Sequence, residues 1–245
     1  MSTEAAIIIR QLSKSYQESG QRHELFADLN LQIQYGEFIV LLGRSGSGKS
    51  TFLNLVSGID QPDGGEIIIN GIPLTGLSEH DRTLFRRYHI GFVFQAYNLI
   101  PTLTVAENLL LPLELIRRTG RQERKNVASL LKQLDLADRF YTYPDRLSGG
   151  EQQRVAIARA LIHDPEVILA DEPTGNLDLD TGQQVLAMFD TLVKKAGKTL
   201  IMATHSREVI GKADRVFSIR NKSLVIAEDG VYATTLPGAG MAFEQ

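Results

Sequence analysis

Cysteine is absent from the 245 residues. That removes disulfides, thiolate metal sites and cysteine nucleophiles, and says little about compartment. No apolar run approaches the ~20 residues needed to cross a bilayer as a helix. The first residues, Met1-Ser2-Thr3-Glu4, lack the basic-then-apolar layout of a signal peptide. A net basic charge is missing too: at −3 the chain has no overall field to draw nucleic acid or an anionic membrane surface. Arg86-Arg87 and the series Arg117, Arg118, Arg121, Arg124 and Lys125 read as solvated helix faces. Internal repeats, low-complexity tracts and sustained heptads are also absent. If the protein serves a membrane process, another subunit must supply the membrane part.

What is present is an ordinary packed composition, 43% hydrophobic and 22% charged, in a length that large α/β domains reach undivided. Glu37–Leu42, Ile90–Phe94, Glu166–Ala170 and Thr199–Ala203 are short runs rich in branched residues and read as buried strands. Helical spacing over Glu151–Ile162 and Thr181–Lys195 lies between them. The alternation predicts an α/β fold, a parallel sheet covered by helices on both faces. In the first ~35 residues, short strands such as Ile7–Ile9 and Leu29–Ile33 predict a small antiparallel sheet. Residues 98–160, rich in Leu and Arg, read as a helical insertion between two strands of the central sheet. Residues 229–245 read as a loose tail without assigned function.

Gly43-Arg44-Ser45-Gly46-Ser47-Gly48-Lys49-Ser50-Thr51 fits G-x-x-x-x-G-K-[ST] between a buried strand and a helix. Its glycines let several backbone N–H groups converge on one anion, and the helix start adds its positive end. Lys49 supplies charge for the β- and γ-phosphates of ATP, and the Ser50 hydroxyl a ligand for Mg²⁺. Asp171-Glu172 closes a second apolar strand. Asp171 would reach Mg²⁺ and Glu172 would polarise the attacking water, at the sheet edge where open α/β folds bind ligands. Ser148-Gly149-Gly150-Glu151-Gln152 opens another helix. Serine with glutamate three residues on is a capping box, and paired glycines expose backbone N–H groups that suit a second anion. The residues alone leave both readings open.

Leu147–Gln153 resembles the signature motif of the ATP-binding-cassette (ABC) ATPases, in the expected order between phosphate loop and Asp171. Tyr16 resembles the family's adenine-stacking aromatic, and Gln95 the loop glutamine that contacts Mg²⁺ and the membrane partner. Asn176-Leu177-Asp178 resembles the loop joining two subunits, and His205 the switch histidine near the γ-phosphate. Taken singly, Tyr16 could be a surface aromatic, Gln95 an exposed strand end and His205 a loop histidine. The ordered set spans most of the chain and is specific. Glu151 stands where many members have Gln, and Ser206 where Asp is frequent, but neither departure removes a group assigned to chemistry.

The resemblance implies a P-loop NTPase (RecA-like) core with an N-terminal antiparallel β subdomain and a helical subdomain. Residues 5–228 would form one nucleotide-binding domain. It implies a homodimer in which Ser148–Gln152 contact the ATP of the partner copy, with Glu172, His205 and Lys49 catalytic. Soluble translation-type relatives carry two cassettes and chromosome-type relatives long coiled coils; this chain has neither. Asn98–Val105, Glu107-Asn108 and Ala170–Asp178 resemble the branch of macrolide-export (MacB-like), lipoprotein-releasing (LolD-like) and cell-division (FtsE-like) ATPases. That implies mechanotransmission to an FtsX-like permease docked near 98–115, at the cytoplasmic face of the inner membrane, with no nucleic acid partner. The alternative is a cell-division or envelope-signalling ATPase without cargo.

Overall fold

A computed structural model describes residues 5–18, 20–194 and 196–227. The loose-tail reading of 229–245 lies outside the described residues. Five strands form a parallel array: β3 (Phe38–Leu42), β6 (Ile90–Val93), β7 (Val167–Asp171), β8 (Thr199–Thr204) and β9 (Arg215–Arg220). They lie in the order β9-β3-β8-β7-β6, and β10 (Ser223–Ile226) adds an antiparallel edge beside β9. The run Phe38–Leu42 is buried throughout because its two faces serve two cores. Ile39 and Leu41 pack toward Phe52 and Leu53, while Phe38, Val40 and Leu42 pack toward Ile157, Val185 and Phe189.

The second sheet, order β2-β1-β4-β5, pairs antiparallel throughout. Its first strands differ from the short segments expected: β1 (Ala5–Glu18) and β2 (Gln21–Gln34) are 14 residues each. The apolar runs break at Gln11 and Asp28, which have φ of 49° and 50°. There the register shifts as in a β-bulge, and the strands continue past it. The Gln11 N–H is satisfied by Asn30 Oδ1 at 3.0 Å and the Asp28 N–H by Ser13 Oγ at 3.3 Å. The sheet is also not confined to the first 35 residues. β4 (Gly64–Ile69) and β5 (Ile72–Pro73) return to it from beyond helix α1 (Lys49–Val56).

Between β6 and β7 lie three helices, α3 (Val105–Leu115), α4 (Arg121–Gln133) and α5 (Gly149–Leu161). They enclose a separate core of Val105, Leu109, Leu113, Val127, Leu131 and Val155. Helix α5 serves two cores, with Val155 and Ala158 in this one and Ile157 and Ala160 against the central sheet. Buried Asn108 brackets the entrance to α3: its amide donates to the carbonyls of Ile100, Leu103 and Thr104 and its Oδ1 accepts from Ile100 N–H. Helices α2 (Glu79–His89) and α6 (Leu179–Phe189) are the other α-helices of the described residues. Ser78 and Asp178 cap them, accepting from the N–H groups of Asp81 and Thr181.

Candidate functional site

The carboxyl ends of four neighbouring parallel strands meet at one edge of the sheet. In spatial order they carry the phosphate loop after β3, His205 after β8, Asp171 and Glu172 at β7, and Gln95 beyond β6. Sequence neighbours are thus reordered, which is how residues more than a hundred positions apart share a site. A cavity of about 810 Å³ opens there, lined by Tyr16, Arg44 through Thr51, Gln95, Glu172 and His205.

At the cavity floor, helix α1 begins without a side-chain cap and without an acidic residue in its first turn. Gly48, at its start, has φ 99°, a conformation costly for any residue with a Cβ, and a Cβ there would also strike Leu25 at 2.8 Å. The helix's first N–H groups and its dipole therefore face the cavity. Lys49 is 5% exposed, and its ammonium donates to the carbonyls of Gly43 (2.8 Å) and Arg44 (3.1 Å), 3.4 Å from Glu172 Oε1.

Glu172 turns out of β7 with φ 45°, its N–H held by the Ala203 carbonyl at 2.8 Å. That conformation costs roughly 1–2 kcal/mol for a residue with a side chain. It swings the carboxylate between Lys49 and His205, whose Nδ1 is 2.8 Å from Glu172 Oε2. The His205 backbone N–H donates to the same oxygen at 3.2 Å. Neighbouring Asp171 takes a hydrogen bond from Ser50. Burial pushes its pKa up, with the charge of Glu172 adding to the rise, while Ser50 and Lys49 oppose it. Its buried Oδ1 has no partner among the described residues. A serine hydroxyl beside an unsatisfied buried carboxylate is an oxygen set suited to Mg²⁺, which takes one or two protein oxygens and completes its shell with phosphate and water. Among the described residues no cluster of three or more His, Cys, Asp or Glu could hold a metal by itself.

Tyr16 stands at the far wall, its ring fixed by its hydroxyl, which donates to Asp60 Oδ2 at 2.6 Å. Lys14 donates to Asp60 Oδ1 at 2.7 Å and lies 4.9 Å from the Tyr16 ring centroid. Burial would raise Asp60, but the bonds from Lys14 and Tyr16 outweigh it and hold its carboxyl below the usual range. Burial, then Asp60, pushes the Tyr16 phenol up. The sequence reading missed His23, which also lines the cavity. His23 sits directly opposite Tyr16 on β2 and so shares its face, a relation carried by strand register rather than by any motif.

Ser148, Gly149, Gly150, Glu151 and Gln152 do not line this cavity. They form the start of α5, where Ser148 and Glu151 make the capping box reciprocally. Ser148 N–H, then Arg139 Nε at 2.9 Å, hold the Glu151 carboxyl down to about 2. A Cβ on Gly150 would strike Thr181 at 2.5 Å, so this glycine also lets α5 and α6 approach. Asn176, Leu177 and Asp178 connect the two places: Asn176 Nδ2 donates to the Gln95 carbonyl at 3.0 Å, Leu177 packs against the central core, and Asp178 caps α6.

A phosphate-cradling loop, a strand-end acid pair and a serine hydroxyl at one edge of a parallel sheet define a P-loop nucleotide-binding protein. Residues 26–175 match the family model described as ABC transporter. An uncharacterized ABC transporter ATP-binding protein of Mycobacterium tuberculosis is 49% identical over 239 residues, 98% of this chain and 96% of its own. The lipoprotein-releasing system ATP-binding protein LolD of Syntrophus aciditrophicus is 39% identical, covering 89% of this chain and 98% of its own. Among solved structures, the Methanocaldococcus jannaschii cassette MJ0796, a dimer in a post-hydrolysis state bound to ADP and Pi, superposes with a TM-score of 0.81. It is 39% identical, covering 89% of this chain and 96% of that one. The chain belongs to the ABC transporter ATP-binding family, and its fold is that of the family's ATPase cassettes. No helix of the described residues is long and apolar enough to cross a membrane.

Proposed function

We propose that the chain is the ATP-hydrolysing subunit of an ABC transporter of the mechanotransmission type and works as a homodimer. The observation that carries the reading is the placement of Glu172 between Lys49 and His205 at the mouth of the phosphate loop. Backbone N–H groups of 43–51 and the Lys49 ammonium bind the β- and γ-phosphates of ATP, and Tyr16 offers a ring face to adenine. Bound through Ser50 and Asp171, with Gln95 alongside, Mg²⁺ would neutralise charge on the phosphates. Glu172 accepts a hydrogen bond from the attacking water and orients it in line with the γ-phosphorus. His205 holds the carboxylate in that position and can reach the γ-phosphate itself.

Ser148–Gln152 do not line their own cavity, which supports their acting on the ATP of a second copy, with Asn176–Asp178 between the two. ATP then bridges the copies and its hydrolysis releases them. A groove of about 330 Å³ beside α3 supports the membrane partner. Stacked Phe92 and Phe94 (centroids 4.2 Å apart) with Leu111, Pro112 and Leu115 form its apolar lining, and Arg86 and Arg87 its cationic rim. It fits an apolar segment carrying a carboxylate on a permease, through which the subunit would sit peripherally at the inner membrane. Glu172→Gln should retain ATP binding, lose hydrolysis by roughly 10²–10⁴-fold and accumulate as a dimer with Mg-ATP in light scattering. A Glu172→Gln protein that stays monomeric at high concentration and saturating ATP would sink the paired-site reading.

A further inference from the structure

Arg159 leaves the third turn of α5, on the helix that begins with Ser148, and reaches the loop after β6. Its two terminal nitrogens donate to two successive carbonyls, Nη2 to Tyr97 at 2.9 Å and Nη1 to Asn98 at 2.6 Å. Those residues are unusual: both lack a glycine's freedom and both have positive φ, 57° and 51°. Two consecutive residues in the left-handed region are costly and persist only where surrounding contacts over-determine them. The planar fork of a guanidinium suits that task, because it meets two acceptors in a fixed geometry that an ammonium cannot reproduce.

The same loop is held at one further point and closely approached at another. Asn176 Nδ2 takes the Gln95 carbonyl at 3.0 Å, and the Tyr97 hydroxyl lies 3.0 Å from where a Cβ on Gly149 would stand. The backbone of 95–98 is thus tied to the third turn of α5 and to the loop before α6, with the Tyr97 ring beside the start of α5, while Gln95 lines the nucleotide cavity. We propose that Arg159 is a positioning residue: it locks the strained Tyr97-Asn98 turn to α5, so that Gln95 is held at the cavity and moves with the Ser148 end of that helix as one body. The inference rests on Gln95 acting at the nucleotide site.

The test uses the full chain and the variants Arg159→Lys, Arg159→Met and Gln95→Ala. Arg159→Lys keeps the stem and charge but cannot fork, so it remains informative if Arg159→Met fails to fold. Hydrogen exchange of the 95–98 amides should accelerate at least tenfold in Arg159→Lys, with kcat for ATP down about tenfold and KM within twofold. Protection elsewhere in α5 should be retained. Unchanged exchange at 95–98, or faster exchange with unchanged kcat, overturns the proposal. If Gln95→Ala itself leaves kcat unchanged, it is the role of Gln95 that fails, and with it the basis of the inference.

Discussion

Helices α1 and α5 both start at a Gly-Ser-rich turn, and they satisfy their first N–H groups in opposite ways. At α1 the preceding residue is a left-handed glycine, no side chain caps the helix, and its first turn carries no acid. At α5 the anion is already built in, as Glu151 closes a capping box on Ser148 and is pinned by Arg139. Only the first two N–H groups of α5, those of Gly149 and Gly150, stay outside the box. One helix end is therefore left open to an anion from solution, which on the proposed function is phosphate, and the other is preorganised to present two backbone donors on a rigid turn. The carboxylates nearby follow the same division. Asp171, under α1, has its pKa raised by burial, while Glu151 is held down to about 2 by Ser148 and Arg139.

That contrast can be broken most directly at Lys49. Lys49→Ala removes the cation buried at the mouth of α1, and ATP affinity in calorimetry should fall by ~100-fold, about 3 kcal/mol. Near-normal affinity would mean that the backbone cradle suffices alone. Next comes Asp171→Asn, which removes a carboxylate that burial disfavours. A raised folded pKa means that the native state gains from protonation at low pH and loses that gain as pH rises through the folded value. The variant should therefore be more stable than the parent at pH 7 in thermal melts, with the difference fading as pH falls toward the unfolded Asp value of about 3.9. Its Mg-dependent hydrolysis should drop. A variant less stable at pH 7 would show that the unpartnered Oδ1 is not a burden on the fold.

At α5 the effects are smaller and of opposite sign. Ser148→Ala removes the cap and should cost about 1 kcal/mol in urea unfolding. Glu151→Gln keeps an acceptor for Ser148 N–H but loses the ion pair with half-exposed Arg139, a smaller loss than that of the cap. Because Glu151 is depressed, its contribution is present above the unfolded pKa of about 4.3 and disappears as pH falls through about 2. The gap between parent and Glu151→Gln should close over that window. A gap that is flat with pH would remove the charge from the account of this helix start.

The central strands were legible because a strand buried on both faces must be apolar at every position, as Phe38–Leu42 and Val167–Ala170 are. The antiparallel sheet was only half legible. Bulges at Gln11 and Asp28 put polar residues in mid-strand, where a pattern search reads an end. Helix α2, with a polar sequence around only two buried side chains, Arg82 and Phe85, gave no apolar stripe to find. Asn108 and Asp178 stand in stretches that resemble the family's. Each is also a local bracket, one closing the entrance to α3 and one capping α6.

The amino-acid sequence by itself determined the phosphate loop, the acid pair of Asp171 and Glu172 and the Ser148–Glu151 cap. Each is a run of consecutive residues whose chemistry is legible without knowing what packs against it. Only the tertiary structure decided that Asp60 would steady Tyr16, that His23 would share its face, and that Arg159 would hold carbonyls 61 and 62 positions away. Such pairings depend on strand register and on how α5 packs between two cores, which no local run of residues encodes.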